Sequence, residues 1–261
     1  METFYLTRKQ MAGLLLSLNG NTDKPPIAVL QEAWAKSHKT DMEHGKTLGA
    51  FVSTSLPPIF EKIIKMKRTG EGFSLTDIVA LGNQIEYSQY SATAMQNWVK
   101  RDFKELIGAP RIGKKYSFDQ TATLFIIDDL KATLDFESIR KMLTLVFNNP
   151  EDETDDLIGP LRLYAAYSAL FEELDQNNDQ VLDLSGHESG LRNHDHMLEH
   201  LLKKMADKFA DTLAGLNRDQ KEAVSNTVFV AMVSVQTSYF QSLARRYLNA
   251  TLFLRNLNGG S

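Results

Sequence analysis

Ser91-Ala92-Thr93-Ala94-Met95-Gln96-Asn97-Trp98-Val99-Lys100-Arg101, followed shortly by Pro110-Arg111-Ile112-Gly113-Lys114-Lys115-Tyr116, is the stretch on which the reading of this chain turns. The first segment starts on a serine, a good helix N-cap, and runs on in residues that suit a helix. Within it Thr93, Gln96, Asn97 and Lys100 fall at i, i+3, i+4 and i+7, which is one continuous helical face. Met95 and Trp98 lie off that face and are the residues expected to pack the helix onto its neighbours. The second segment interrupts any helix with Pro and Gly, and its Gly113 between cations predicts a tight, positively charged hairpin.

Charge is segregated in the same way. From Ser88 to Lys115 there are six cations (Lys100, Arg101, Lys104, Arg111, Lys114 and Lys115) and two anions (Asp102 and Glu105), a net +4. The whole chain of 261 residues is −4, so the remainder carries −8. Such a balance argues against coating nucleic acid over the whole surface and confines any contact to this window. Composition is that of an ordinary globular protein, 43% apolar and 24% charged, so a core is expected. Cysteine is absent, which excludes disulfides, thiolate metal sites and cysteine nucleophiles and fits a cytoplasmic location. The longest apolar run, Val228–Val233, falls far short of the ~20 residues of a membrane span. Arg8 and Lys9 before Met11–Leu16 faintly mimic a signal peptide, but an amphipathic helix capped near Thr7 is the better reading.

Outward from the central window, helical periodicity dominates. Residues 1–72 predict short helices near 7–18, 26–36 and 57–67, ending at a flexible Thr69-Gly70-Glu71-Gly72 junction. Residues 73–147 predict four helices, started by Ser74, Ser91, Ser117 and Asp135, with the second running to about Ile107. Ser117 and Gln120 have the spacing of a capping box. Residues 148–157, with Glu151-Asp152-Glu153-Thr154-Asp155-Asp156, read as an acidic linker, and 158–261 as a C-terminal helical domain of three helices, for dimerisation or an effector. The last helix, from about Asp219 to Leu254, carries Phe229, Val233, Gln236, Phe240, Leu243, Tyr247, Ala250 and Leu254 in alternating steps of four and three, a heptad-like seam. Core packing is the plain reading of that seam and a homodimer interface the sharper one. The fold class is mainly α: a winged helix-turn-helix with a small β-hairpin wing, embedded between helical regions.

The order helix, second helix, basic wing, two further helices resembles the DNA-binding domain of MerR-type regulators over Ser74–Leu143. Met95-Gln96-Asn97-Trp98 falls where that family has a Leu-Arg-Tyr-Tyr-like core, Pro110–Tyr116 looks like its wing, and Phe136–Leu143 like its final helix. Gln96 and Asn97 replace the usual arginine and tyrosine, the loop before the second helix is longer, and no long coiled-coil helix follows Leu143. Leu56-Pro57-Pro58-Ile59-Phe60-Glu61-Lys62-Ile63 together with Gln96–Arg101 is similar, over roughly residues 50–175, to bacterial proteins grouped as domain of unknown function 1836. The resemblance implies DNA-binding regulation, with no operator or ligand attached.

The residue types suit that role. Gln and Asn can each make bidentate contacts to adenine, and Thr can touch a thymine methyl. Arg111, Lys114 and Lys115 can hold phosphates, which sets position and affinity rather than sequence. The expected DNA-binding set is Ser91, Thr93, Gln96, Asn97, Lys100, Arg101, Arg111, Lys114, Lys115 and Tyr116, the partner is double-stranded DNA, and a homodimer and a small-molecule effector remain open. The rival from another class is a non-enzymatic helical adaptor or sensor that binds a protein partner or small ligand.

Enzyme chemistry is not expected. His196-Met197-Leu198-Glu199-His200 matches the H-x-x-E-H pattern, with His194 nearby, yet Leu198, Leu201 and Leu202 make the same helix an ordinary amphipathic one. Asp175–Asp183 starts like a calcium loop but has Gln180 where glycine is needed and Gly186 where the closing glutamate belongs. No phosphate-binding glycine loop or nucleophile constellation occurs, and neither cofactor nor metal is expected.

Overall fold

Helix Phe118–Leu130 (α7 in the numbering below) is the axis of the molecule: apart from half-buried Asp119, every one of its residues is buried. The computed structural model describes residues 4–37, 56–66, 71–149, 155–175 and 194–258. Within them the chain is mainly α, with eleven α-helices. These are α1 Arg8–Leu18, α2 Pro26–Ser37, α3 Pro58–Ile64, α4 Leu75–Gly82, α5 Ala92–Asn97, α6 Lys104–Ile107, α7, α8 Phe136–Val146, α9 Pro160–Leu174, α10 His194–Asp211 and α11 Arg218–Asn258. A π-helical turn, Trp98–Asp102, joins α5 to α6.

Local chemistry sets the starts. Thr7, Ser74 and Ser117 each close a reciprocal capping box with Gln10, Asp77 and Gln120, satisfying helix-end N–H groups that would otherwise be orphaned. Ser91 and Asp135 accept from the backbone N–H of Ala94 and Ser138. Pro58 and Pro160 stand in the first turns of α3 and α9, where a missing N–H costs nothing.

Around α7 pack α1, α6, α9 and α11, while α2 lies on α1 and α10 on α11. A single hydrophobic cluster contains Leu14 and Trp34, Phe73 and Ile126, and Tyr164 and Val228, so the N-terminal, central and C-terminal segments contribute to one core. At its centre is a charged contact that joins them. The buried Arg8 guanidinium donates to Asp129 at 2.7 Å, and Tyr167 donates its hydroxyl to the other Asp129 oxygen at 2.6 Å. Arg8 also reaches the Glu86 carbonyl at 3.2 Å. No helix among the described residues is long and apolar enough to cross a membrane.

Two expectations change. The helix predicted to run from Ser91 to Ile107 is broken: α5 ends at Asn97, the π turn follows, and Phe103 leaves helical geometry before α6. Trp98, Val99 and Phe103 are all buried, and a regular 3.6-residue helix does not bring positions five apart onto one line. The wider turn, closed by the Phe103 N–H to Trp98 carbonyl bond at 2.9 Å, sets Trp98 and Phe103 edge to face with centroids 6.0 Å apart. The predicted hairpin wing is reduced to single rungs. Among the described residues there are only isolated bridges, Ile112 with Lys115, Phe73 with Tyr116 and Leu6 with Ile85, and no extended strand.

Candidate nucleic-acid interface

The candidate face is assembled from α5, the π turn and the short loop between α6 and α7. On α5 and the π turn, Ser91, Thr93, Gln96, Asn97, Lys100 and Arg101 are exposed, whereas Met95 and Trp98 are buried behind them. The polar strip read from the spacing therefore exists as a surface, although it spans a helix of six residues and a π turn rather than one long helix. Ser91 has a structural task as well, since its hydroxyl caps α5.

The basic loop is a two-residue turn. Ile112 and Lys115 exchange backbone hydrogen bonds of 3.0 and 2.9 Å around Gly113 and Lys114. Gly113 has φ +62°, a left-handed conformation that glycine adopts without strain, which explains the residue at this point. Lys114 and Arg111 are exposed and Lys115 is half-exposed. Tyr116 is different: it is only 9% exposed, and its backbone is paired both ways with Phe73 at 3.0 and 2.8 Å. That pairing passes so close to Gly72 that a Cβ there would lie 2.3 Å from the Tyr116 carbonyl oxygen. Tyr116 thus anchors the turn to the residue that precedes the Ser74 cap of α4.

Gln120 was invisible as a site residue in the sequence beyond its capping role. Buried, it donates through Nε2 to the carbonyls of Ile107 and Ala109 at 2.8 and 2.7 Å, and its Oε1 accepts from the Ser117 N–H at 2.9 Å. One side chain thereby caps α7 and pins the start of the basic loop.

Between α5 and the loop lies an open groove of about 660 Å³. Its lining includes Gln96, Lys100, Lys104 and one acid, Glu105, together with Pro110, Tyr116 and Leu75 of α4. Of the sequence-predicted set, the groove brings together Gln96, Lys100 and Tyr116. Thr93, Asn97, Arg101, Arg111, Lys114 and Lys115 lie outside its lining. Among the described residues, no acid pairs with Lys100, Lys104, Lys114 or Lys115. Arg101 is held by its neighbour Asp102 at 2.7 Å.

Behind the face, Trp98 is braced from α7 and α8. Lys131 stands 5.4 Å over its ring and pairs with Asp128, and Arg140 of α8 donates to the Asp102 carbonyl at 2.9 Å. Burial pushes the Asp128 carboxyl up from its ordinary 3.8 to about 6, against the pull of Lys131. Since the folded value lies above the unfolded one, the native state binds the proton more tightly, and stability falls as pH rises from about 4 to about 6. Asp128→Asn is expected to abolish that fall and to raise stability at neutral pH by up to roughly 3 kcal/mol, the equivalent of the gap between the two values. Thermal melts of both proteins across that window check it; parallel pH profiles would refute it.

Of the acidic segment Glu151–Asp156, Asp155 and Asp156 belong to the described residues. Residues 150–154, and the side chains of His194 and His196, lie outside the described residues, as does most of the calcium-like Asp175–Asp183 stretch. His200 is exposed on α10. No group of three or more potential metal ligands occurs among the described residues.

Comparison with known proteins matches residues 73–169 to the family model described as domain of unknown function (DUF1836). That span runs from the Phe73 rung through the candidate face, α7 and α8 into α9. A protein of Bacillus subtilis (strain 168), called uncharacterized protein YkrK, is 31% identical over 247 residues, covering 94% of this chain and 97% of that one. No solved structure matches the chain.

Proposed function

The chain belongs to the domain-of-unknown-function 1836 family, and from that premise we propose that it is a non-enzymatic, cytoplasmic transcriptional regulator that binds double-stranded DNA in the MerR-like manner. In this reading α4 and α5 are the helix-turn-helix, the turn at 110–116 is a minimal wing, and α7 and α8 are the helices behind it. The observation that carries the reading is the exposed strip Thr93, Gln96, Asn97 and Lys100 backed by buried Met95 and Trp98, with Lys104 and Tyr116 in the same groove as Gln96 and Lys100 and the cations Lys114 and Lys115 on the turn just before Tyr116. A major-groove reader needs polar side chains that reach base edges and cations that hold the flanking phosphates. Brevity of α5 does not oppose this, because base contacts are made from the first turns of a recognition helix.

Selection from random duplex DNA, run on the natural protein and on a variant with Arg111, Lys114 and Lys115 changed together to Ala, tests the proposal. An enriched motif is expected for the natural protein, with log K falling against log salt at a slope of about −3.6 if four cations meet phosphates. The triple variant is expected to lose about 2.7 of that slope and to recover no motif. Absence of enrichment, with no salt-dependent binding to any duplex, would overturn the regulator reading in favour of a protein-binding adaptor.

A further inference from the structure

The C-terminal part of α11 leaves the body of the protein. Gln241 makes its last long-range hydrogen bond, donating to the Ala132 carbonyl at 3.0 Å, while Tyr239 stacks edge-on with Tyr87 at 5.0 Å and Arg246 adds a charge interaction with the Tyr87 hydroxyl. From Ala244 to Phe253 every residue is exposed. Among them and just before them stand Phe240 at 52%, Tyr247 at 68% and Phe253 at 63% exposure, with Leu248 and Leu252 also exposed. A bare helical arm showing this many large apolar groups is marginal in water, since helices draw most of their stability from packing.

We propose that this arm pairs antiparallel with the same arm of a second copy, making the protein a homodimer. The argument rests on self-complementarity. The seam Phe240, Leu243, Tyr247, Ala250 continues in sequence at Leu254 and Leu257, with the four-and-three alternation intact. When two such helices run in opposite directions, one register sets Tyr247 against Ala250 of the second copy, twice over, so each bulky ring meets a small residue. The same register places Leu243 and Phe240 at the levels of Leu254 and Leu257. Charge agrees with it. The arm carries Arg245, Arg246 and Arg255 and no acid, so a parallel pair would bring Arg246 to the level of its own copy. The antiparallel pair instead brings Arg246 to the flank where Phe253 of the second copy lies, a cation–π arrangement. Residues 240–258 form an arm about 28 Å long, and pairing buries on the order of 1,000 Å² in total, the lower edge of specific interfaces. A membrane surface fits less well, because exposed Leu248 and Leu252 emerge on the side away from the seam, next to Arg245, instead of extending one apolar face.

Sedimentation of the full chain without DNA, from low to high micromolar concentration, tests the inference independently of any DNA binding. A dimer mass is expected for the natural protein. Tyr247→Glu, at an exposed position remote from the core, is expected to give monomer and to lose no more far-ultraviolet helical signal than the arm itself supplies. The chain has no cysteine, so direction can be read by oxidation: Tyr247→Cys is expected to cross-link between copies, and Phe240→Cys is not. Monomer at every concentration, cross-linking at both positions, or a monomer that floats with vesicles of anionic phospholipid would each overturn the proposal.

Discussion

Arg8→Ala is expected to destabilise the protein by about 3–5 kcal/mol, the largest single-residue effect foreseen here. Arg8 and Asp129 are both buried, 2.7 Å apart, with side-chain exposures of 4% and 3%. Removing the guanidinium leaves a carboxylate in the core with only the Tyr167 hydroxyl to face it. The Arg8 guanidinium is held charged, well above its ordinary value: desolvation is the largest influence and opposes this, but Asp129, with Tyr164 and Tyr167, more than offsets it. Urea unfolding measures the loss as a lower midpoint at unchanged slope. Replacing the trio together, Arg8→Met with Asp129→Leu and Tyr167→Phe, is expected to return most of the stability, because a buried pair replaced by apolar groups of similar size is often neutral. A single Arg8→Ala variant within about 0.5 kcal/mol of the natural protein would refute this account of the core.

The second large effect concerns recognition. Gln96→Ala with Asn97→Ala is expected to cost about 1–3 kcal/mol of discrimination for each base pair read, roughly 5- to 160-fold per position. The salt dependence of binding should stay as it was, because neither side chain is charged. Both residues are exposed, and neither has a packing role that their loss would disturb. Competition between the selected sequence and a scrambled duplex measures the ratio. An unchanged ratio would mean that sequence is read elsewhere, or that the face docks another molecule. Base reading and phosphate holding are separated by the salt slope, which the Gln96 and Asn97 variant keeps and the Arg111, Lys114 and Lys115 variant loses.

The two effects also differ in how far the sequence revealed them. Thr93, Gln96, Asn97 and Lys100 were legible as a face because helical periodicity is a local rule, and the burial of Met95 and Trp98 followed from the same rule. The Arg8 contact was not legible, although Asp128-Asp129 at the end of the apolar run Leu124-Phe125-Ile126-Ile127 was a signal that a cation must come from somewhere. Nothing local said that it would come from 121 residues away. Gln120 shows the same division within one side chain. Its capping bond to Ser117 is three residues away and was foreseen, while its bonds to Ile107 and Ala109 depend on where the loop returns.

By itself, then, the sequence determined the helical class, the starts of α1, α4, α5, α7 and α8, the polar face and its neighbouring cations, because each depends on groups three or four residues apart. Only the tertiary structure decided that α5 breaks into a π turn, that the predicted hairpin is no more than an isolated Ile112–Lys115 bridge with Tyr116 buried beside it, and that Arg8 closes the core. In each case the deciding energy comes from burying rings or charges against elements distant in the chain, and no local pattern records which distant partner arrives.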